Sequence, residues 1–169
     1  MVIEINGYRQ NVLAIIFNTN GECFIGKNSW WGQDWTFPKG WIEIWESATD
    51  ALYREIYEET WLIRDTLKVL YKMPTTFKKT FSKQELEWKI KNKKEYFIWK
   101  EDHIFILRYD DKWEIDLNIT KELLEYKWIS LTDIKMYIDN MTLLSLINIP
   151  TLKELIQPNA TTETILNFQ

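Results

Sequence analysis

The 169-residue chain predicts an α+β fold. Two apolar runs, Val12 to Phe17 and Cys23 to Gly26, flank the turn sequence Asn18-Thr19-Asn20-Gly21, the pattern of an early β-hairpin. One amphipathic helix is expected over about residues 48 to 60, between that hairpin and a second group of short apolar runs. Alternation alone supports this class and nothing finer.

Each element has a local cause. Ser47 can cap the helix, with Asp50 three residues on, and Ala48, Ala51, Leu52 and Ile56 supply its apolar face. Further strands are expected at Leu67 to Met73, Glu95 to Trp99, Ile104 to Tyr109 and Tyr126 to Ile129. Ser130-Leu131-Thr132-Asp133 offers another capping box. Leu143 to Ile156 reads as a second helix that Pro150 must break or restart. No linker divides the chain, so residues 1–169 are expected to form a single domain, with a peripheral tail from Pro158 to Gln169.

Composition narrows the class. The chain is 46% hydrophobic and 27% charged, an ordinary balance for a globular protein with one buried core. Its single cysteine, Cys23, excludes an intrachain disulfide and is expected as a buried strand thiol. No apolar stretch approaches the roughly 20 residues that span a bilayer, and the amino terminus lacks a basic-then-apolar signal. A cytoplasmic protein without a membrane partner is the expectation; the oligomeric state stays open. Charge is segregated: residues 78 to 100 hold eight lysines against three glutamates, inside a chain of net charge −4. Such a segment can attract polyphosphate or an RNA backbone, with Tyr96, Phe97 and Trp99 able to stack a base. The alternative is a solvated loop.

The most informative segment runs from Gly40 to Leu62. On the predicted helix Glu55, Glu58 and Glu59 stand at i, i+3 and i+4 and share one face. Like charges at that spacing repel, and the negative end of the helix dipole adds to the repulsion. A divalent cation reverses both effects, and all-oxygen ligation suits magnesium, with manganese as the alternative, better than zinc. A solvated acidic face without a ligand is the plainer reading of the three carboxylates alone.

With Gly40, Glu46 and Arg54 added, the segment resembles the signature of the Nudix hydrolases, Gly-x5-Glu-x7-Arg-Glu-U-x-Glu-Glu-x-Gly-U, where U is a bulky aliphatic residue. One position departs, since Trp61 stands where the final glycine belongs. The flanks Gly7-Tyr8-Arg9-Gln10-Asn11-Val12 and Trp35-Thr36-Phe37-Pro38-Lys39-Gly40 are similar to those of bacterial RNA 5′-pyrophosphohydrolases and dinucleoside polyphosphate hydrolases. Glu122-Leu123-Leu124-Glu125-Tyr126-Lys127-Trp128 resembles a later strand of those families.

The resemblance implies a mixed sheet sandwiched between helices and metal-assisted hydrolysis of a phosphoanhydride. Glu55, Glu58 and Glu59 would hold magnesium, with the Gly40 carbonyl completing the shell. Glu46 and Arg54 would support the box as a bidentate pair. The general base would be a box glutamate or a distant carboxylate, for which Glu122 is the best match and Glu125 the reserve. Arg9 and Lys39 would contact substrate phosphate. The implied substrate is a 5′-triphosphorylated RNA end, with diadenosine tetraphosphate as the alternative; a nucleotide-binding domain with impaired catalysis is a third reading.

That third reading comes from tryptophan. The chain has ten tryptophans and only five glycines. Trp41, Trp45 and Trp61 occupy positions where the family carries glycine. At a left-handed helix terminus an indole-bearing residue costs roughly 1–2 kcal/mol relative to glycine. One explanation is a source in which UGA encodes glycine, with the codon rendered here as tryptophan. It predicts UGA at positions 41, 45 and 61 and UGG at Trp35 and Trp128.

Overall fold

The computed structural model describes residues 9–29, 34–93, 97–119, 121–147 and 149–157. Gly7, Tyr8, Glu95, Tyr96 and the tail 158–169 lie outside the described residues.

The hairpin forms as expected, with β1 at Arg9–Phe17 and β2 at Cys23–Asn28. Asn18 builds its turn: its side-chain oxygen accepts from the Asn20 and Glu22 amides, and its carbonyl accepts from Gly21, which sits at φ 77°. Two short strands follow, β3 at Trp35–Thr36 and β4 at Lys39–Trp41. Helix α1 spans Ala48–Thr60, and Ser47 caps it by accepting from the Asp50 amide at 3.1 Å. Strand β5 is Leu67–Lys72.

The lysine-rich segment departs from a loop reading. It forms β6 at Phe77–Thr80, α2 at Lys83–Lys93 and the start of β7 at Trp99–Tyr109. Ser82 and Glu85 cap α2 reciprocally, Ser82 Oγ accepting from the Glu85 amide and the Glu85 carboxylate from the Ser82 amide. The strands expected at Glu95 to Trp99 and Ile104 to Tyr109 are replaced by the single strand β7, which begins at Trp99; Phe97 and Ile98 precede it. Eleven residues can stay extended because β7 has partners along its length, β1 on one side and β5 and β6 on the other.

Strand β8 is Leu123–Ile129, and α3 (Ile134–Tyr137), α4 (Met141–Leu146) and α5 (Ile149–Leu155) complete the described chain. The expected capping box at Ser130 does not form, because Ser130 Oγ turns to the Thr132 amide and Asp133 makes no side-chain cap. The helix expected from Leu143 to Ile156 is divided between α4 and α5, with Pro150 in the first turn of α5, where its missing amide is no loss.

Among the described residues eight strands join one mixed sheet. Its path runs β3-β2-β1-β7-β5, with β1 and β7 parallel, β4 beside β1, β6 beside β7 and β8 beside β2. Alternation along β1 serves two cores. Leu13, Ile15 and Phe17 face the side covered by α3, α4 and α5, while Val12, Ala14 and Ile16 face Ala51, Leu52 and Ile56 of α1. The result is a sheet packed between helical layers. Cys23 is fully buried in the first core, and burial pushes its thiol pKa up. No helix among the described residues is long and apolar enough to cross a membrane.

Candidate active site

A cavity of about 600 Å³ opens at the end of the sheet where β1, β4 and β7 begin or pass. Its position follows from register. Arg9, Asn11 and Leu13 lie on one face of β1, Lys100 and Asp102 lie beside Arg9 and Asn11 on β7, and Lys79 lies beside Lys100 on β6. On β4, Trp41 and Lys39 flank Asn11 and Leu13. The face that buries Ile15 and Ile106 further along thus ends in polar rows.

Helix α1 supplies the acidic wall. The Glu59 side chain reaches the cavity and accepts the Lys39 amide at 3.2 Å, although the residue is only 7% exposed. Glu55 lies against Gly40 so closely that a Cβ there would overlap the Glu55 carboxyl. Gly40 is required for this approach. Glu122, at the head of β8, lines the same cavity, anchored through its carbonyl to the Ser29 amide at 2.9 Å. Glu125 is exposed on β8 and lies outside the lining.

Arg54 ties the wall to its support. Its guanidinium forks onto Glu46 at 2.6 and 3.1 Å, donates to the Trp41 carbonyl at 2.8 Å, and reaches Glu55 at 2.7 Å and Glu58 at 3.2 Å. These bonds raise the arginine pKa, chiefly through Glu46 and then Glu55, and the same contact holds Glu46 below its ordinary value. The pair clamps the start of α1 to the strand carrying Gly40.

The electrostatics of the two walls are opposite and unfavourable. Burial, followed by the charges of Glu122 and Glu55, pushes the Glu59 pKa well up. Burial also raises Glu55, with Arg54 opposing and Glu58 and Glu122 adding to it. Across from them burial lowers Lys39 to about 8, helped by Lys100 and Lys79 and resisted by Asp102 and Glu59. Carboxylates crowd the α1 side of the cavity, while on the sheet side Lys100 pairs with Asp102 at 2.7 Å and Lys79 with Glu85 at 2.9 Å.

Among the described residues no three acidic, histidine or cysteine side chains are drawn together tightly enough to ring a cation. Arg54 occupies oxygens of Glu55 and Glu58 instead. The donor set nevertheless fits a hard divalent ion. Its members are oxygens only, Glu59 is buried and Glu55 partly so, the two repel each other, and the Glu55 carboxyl packs into the space a side chain at Gly40 would fill.

Sequence reasoning named Arg9, Lys39, Gly40, Glu55, Glu59 and Glu122, and the structure brings all six to one cavity. Glu58 is the outlier, its side chain 43% exposed and turned to Arg54. Lys79, Lys100, Asn11 and Asp102 were missed. Period-two parity was the available signal, since Lys100 and Asp102 share the inward parity of Ile104 and Ile106.

The three anomalous tryptophans differ in their surroundings. Trp61 ends α1 at φ 65° and ψ 10°, a left-handed cap whose amide bonds the Tyr57 carbonyl, and its ring stacks on Tyr57 at 4.4 Å. Trp41 lies against Phe97 and the Arg9 guanidinium. Trp45 is 81% exposed. By contrast Trp35 packs on Tyr137, and Trp128 packs on Phe24 and Tyr109, both as integral parts of the fold.

Comparison with known proteins bears on the family and the fold. The NUDIX domain model matches residues 7–146. The RNA pyrophosphohydrolase of Vibrio atlanticus is 32% identical over 133 residues, covering 76% of this chain and 74% of that protein. The protein of the same name from Blochmanniella pennsylvanica is 29% identical over 135 residues, 77% of this chain and 82% of its own. Among solved structures, a C. elegans Ap4A hydrolase complex superposes with a TM-score of 0.64 at 18% identity, covering 85% of this chain and 95% of that one. The E. coli dihydroneopterin triphosphate pyrophosphohydrolase gives 0.66 at 16% identity, covering 88% and 97%. At these identities the structures speak for the fold alone.

Proposed function

The chain belongs to the NUDIX domain family, and from that premise we propose that it is a magnesium-dependent pyrophosphohydrolase that removes pyrophosphate from 5′-triphosphorylated RNA. One observation carries the reading: a single cavity sets buried, repelling carboxylates against crowded lysines. A cation relieves the first wall and a polyphosphate the second. The names of the RNA pyrophosphohydrolase relatives support the choice of substrate.

Glu55, Glu58 and Glu59 would hold magnesium, with the Gly40 carbonyl as a further ligand, and the ion would supply charge neutralisation for phosphate oxygens and a lowered pKa for a water. The remaining steps belong to side chains. Lys39 and Arg9 bind phosphate oxygens, and Lys79 and Lys100 extend that contact along the chain of phosphates. Glu122 takes the proton of the attacking water on its carboxylate, near enough to Glu59 to raise the latter's pKa. Glu46 and Arg54 touch no substrate and hold α1 in place.

Turnover on a short 5′-triphosphate RNA and on diadenosine tetraphosphate, each with magnesium, tests the proposal. Faster pyrophosphate release from RNA is expected. Activity on the dinucleotide with none on RNA moves the assignment to the alternative substrate.

A second reading concerns this polypeptide as written. Trp61 in a left-handed cap favours glycine as the residue that backbone was shaped for. Under that reading the gene encodes a working enzyme, and tryptophan at these positions leaves a nucleotide-binding domain with impaired catalysis. UGG codons at 41, 45 and 61 overturn the recoding explanation.

A further inference from the structure

Two buried acceptors in the cavity have no partner. Asp102 is 0% exposed; its Oδ2 takes the Lys100 ammonium at 2.7 Å, and its Oδ1 is bare. Asn11 is 6% exposed and its Oδ1 is also bare. They are neighbours: Asn11 and Asp102 are register partners across the parallel β1 and β7 pair, so both side chains rise from the same face into the same cavity. A buried acceptor without a donor loses its hydration and regains nothing, and such groups are rare in folded proteins.

The row continues on either side. Trp41 lies beside Asn11 on β4, and Phe77 lies beside Asp102 on β6. Phe81 and Trp88, from the segment around α2, also line the cavity. Two adjacent acceptors edged by aromatic rings describe a slot for a flat ring carrying two adjacent donors. Among the four RNA bases only guanine presents neighbouring N–H donors, N1–H and the 2-amine, on one edge.

Resting on the nucleotide-hydrolase reading above, we propose that Asp102 and Asn11 form a base subsite that receives the N1–H and 2-amino donors of guanine. The phosphates then run from this slot past Lys100, Lys79 and Lys39 towards the carboxylate wall. Selection arises because any other base leaves at least one of the two acceptors buried and unpaired. Asp102 and Asn11 are specificity residues, distinct from the groups placed in the chemistry.

Equilibrium binding without metal tests the subsite, using GDP, IDP, ADP, UDP and 2′,3′-dideoxy-GDP with the full chain. GDP is expected to bind about tenfold more tightly than IDP, which lacks the 2-amine, and at least as far above ADP and UDP. Dideoxy-GDP is expected to match GDP. Equal affinity for GDP and IDP overturns the proposal, as does failure of GDP to bind at millimolar concentration. Loss on removing the ribose hydroxyls assigns the acceptors to the sugar and overturns it too. ADP binding as tightly as GDP means that Asn11 presents its amide nitrogen to adenine, and it equally overturns the guanine assignment.

Asp102→Asn adds a second check, with GDP preference over IDP falling to within about twofold; the base series on the unaltered chain decides the matter if this variant does not fold. Hydrolysis of triphosphate RNA is measured in parallel. Turnover without base preference sinks the subsite and leaves the reaction, whereas selective binding without turnover does the reverse.

Discussion

Trp61 shows how one side chain can oppose the backbone it sits on. Its left-handed conformation costs roughly 1–2 kcal/mol for a residue with a Cβ, while stacking on Tyr57 returns about 0.5–1.5 kcal/mol. Trp61→Gly removes both, and Trp61→Ala removes only the stacking. Thermal melts should therefore show Trp61→Gly at or above the parent, by up to about 4 °C, and Trp61→Ala below it. An alanine variant more stable than the glycine variant would show that the cap is not strained.

Lys39 gives the site a pH signature. Its folded pKa of about 8 lies below the unfolded value of roughly 10.4. Between those values the folded chain has released a proton that the unfolded chain keeps, so stability rises with pH across the window, and below it burial of the charged ammonium is a constant cost. Substrate capture is expected to run the other way, because the ammonium proposed to meet phosphate is lost. We expect kcat/KM on triphosphate substrates to fall about tenfold per pH unit above about 8, and Lys39→Arg to move that limb upward. An unchanged alkaline limb in Lys39→Arg removes Lys39 from phosphate binding.

At the scale of elements, legibility followed locality. Helix α1 was readable to its ends because its causes lie within it, namely the Ser47 cap, the apolar spacing and the terminal left-handed residue. Ser47→Ala should cost about 1 kcal/mol and lower the melting temperature by about 2–4 °C, as followed by circular dichroism. No loss would mean that packing, rather than the cap, sets the start of α1. Helix α2 was missed although Ser82 and Glu85 carry a capping box, because the lysines around them suggest a solvated loop. Strand β7 is legible only from Ile104 onward, because its first four positions are mostly polar and owe their extension to β1 and β6. A strand whose pattern is set by a cavity does not alternate as a core strand does.

For the whole molecule, the two walls should respond to their ligands as one unit. Magnesium is expected to raise the melting temperature of the parent, through relief of buried repulsion around Glu59, and to raise it less in Glu59→Gln. Equal shifts in both place the ion elsewhere. The combined Trp41→Gly, Trp45→Gly, Trp61→Gly chain should turn over triphosphate RNA faster than the parent, since Trp41 lines the cavity and its ring narrows it. Equal rates would clear the tryptophans of any effect on catalysis.

By itself the sequence determined the fold class, the position of α1 and most of the carboxylate wall, because helical spacing places Glu55 and Glu59 within one turn and their mutual repulsion signals a ligand. It also exposed the tryptophans, which depart from a motif that needs glycine. Only the tertiary structure decided that Glu58 turns to Arg54, that Glu122 stands near enough to Glu59 to raise its pKa, and that Lys79, Lys100, Asn11 and Asp102 share the cavity. The reason is register. Arg9 and Lys100 stand far apart in the chain and become neighbours only when β1 pairs with β7, and no local pattern in either strand encodes its partner.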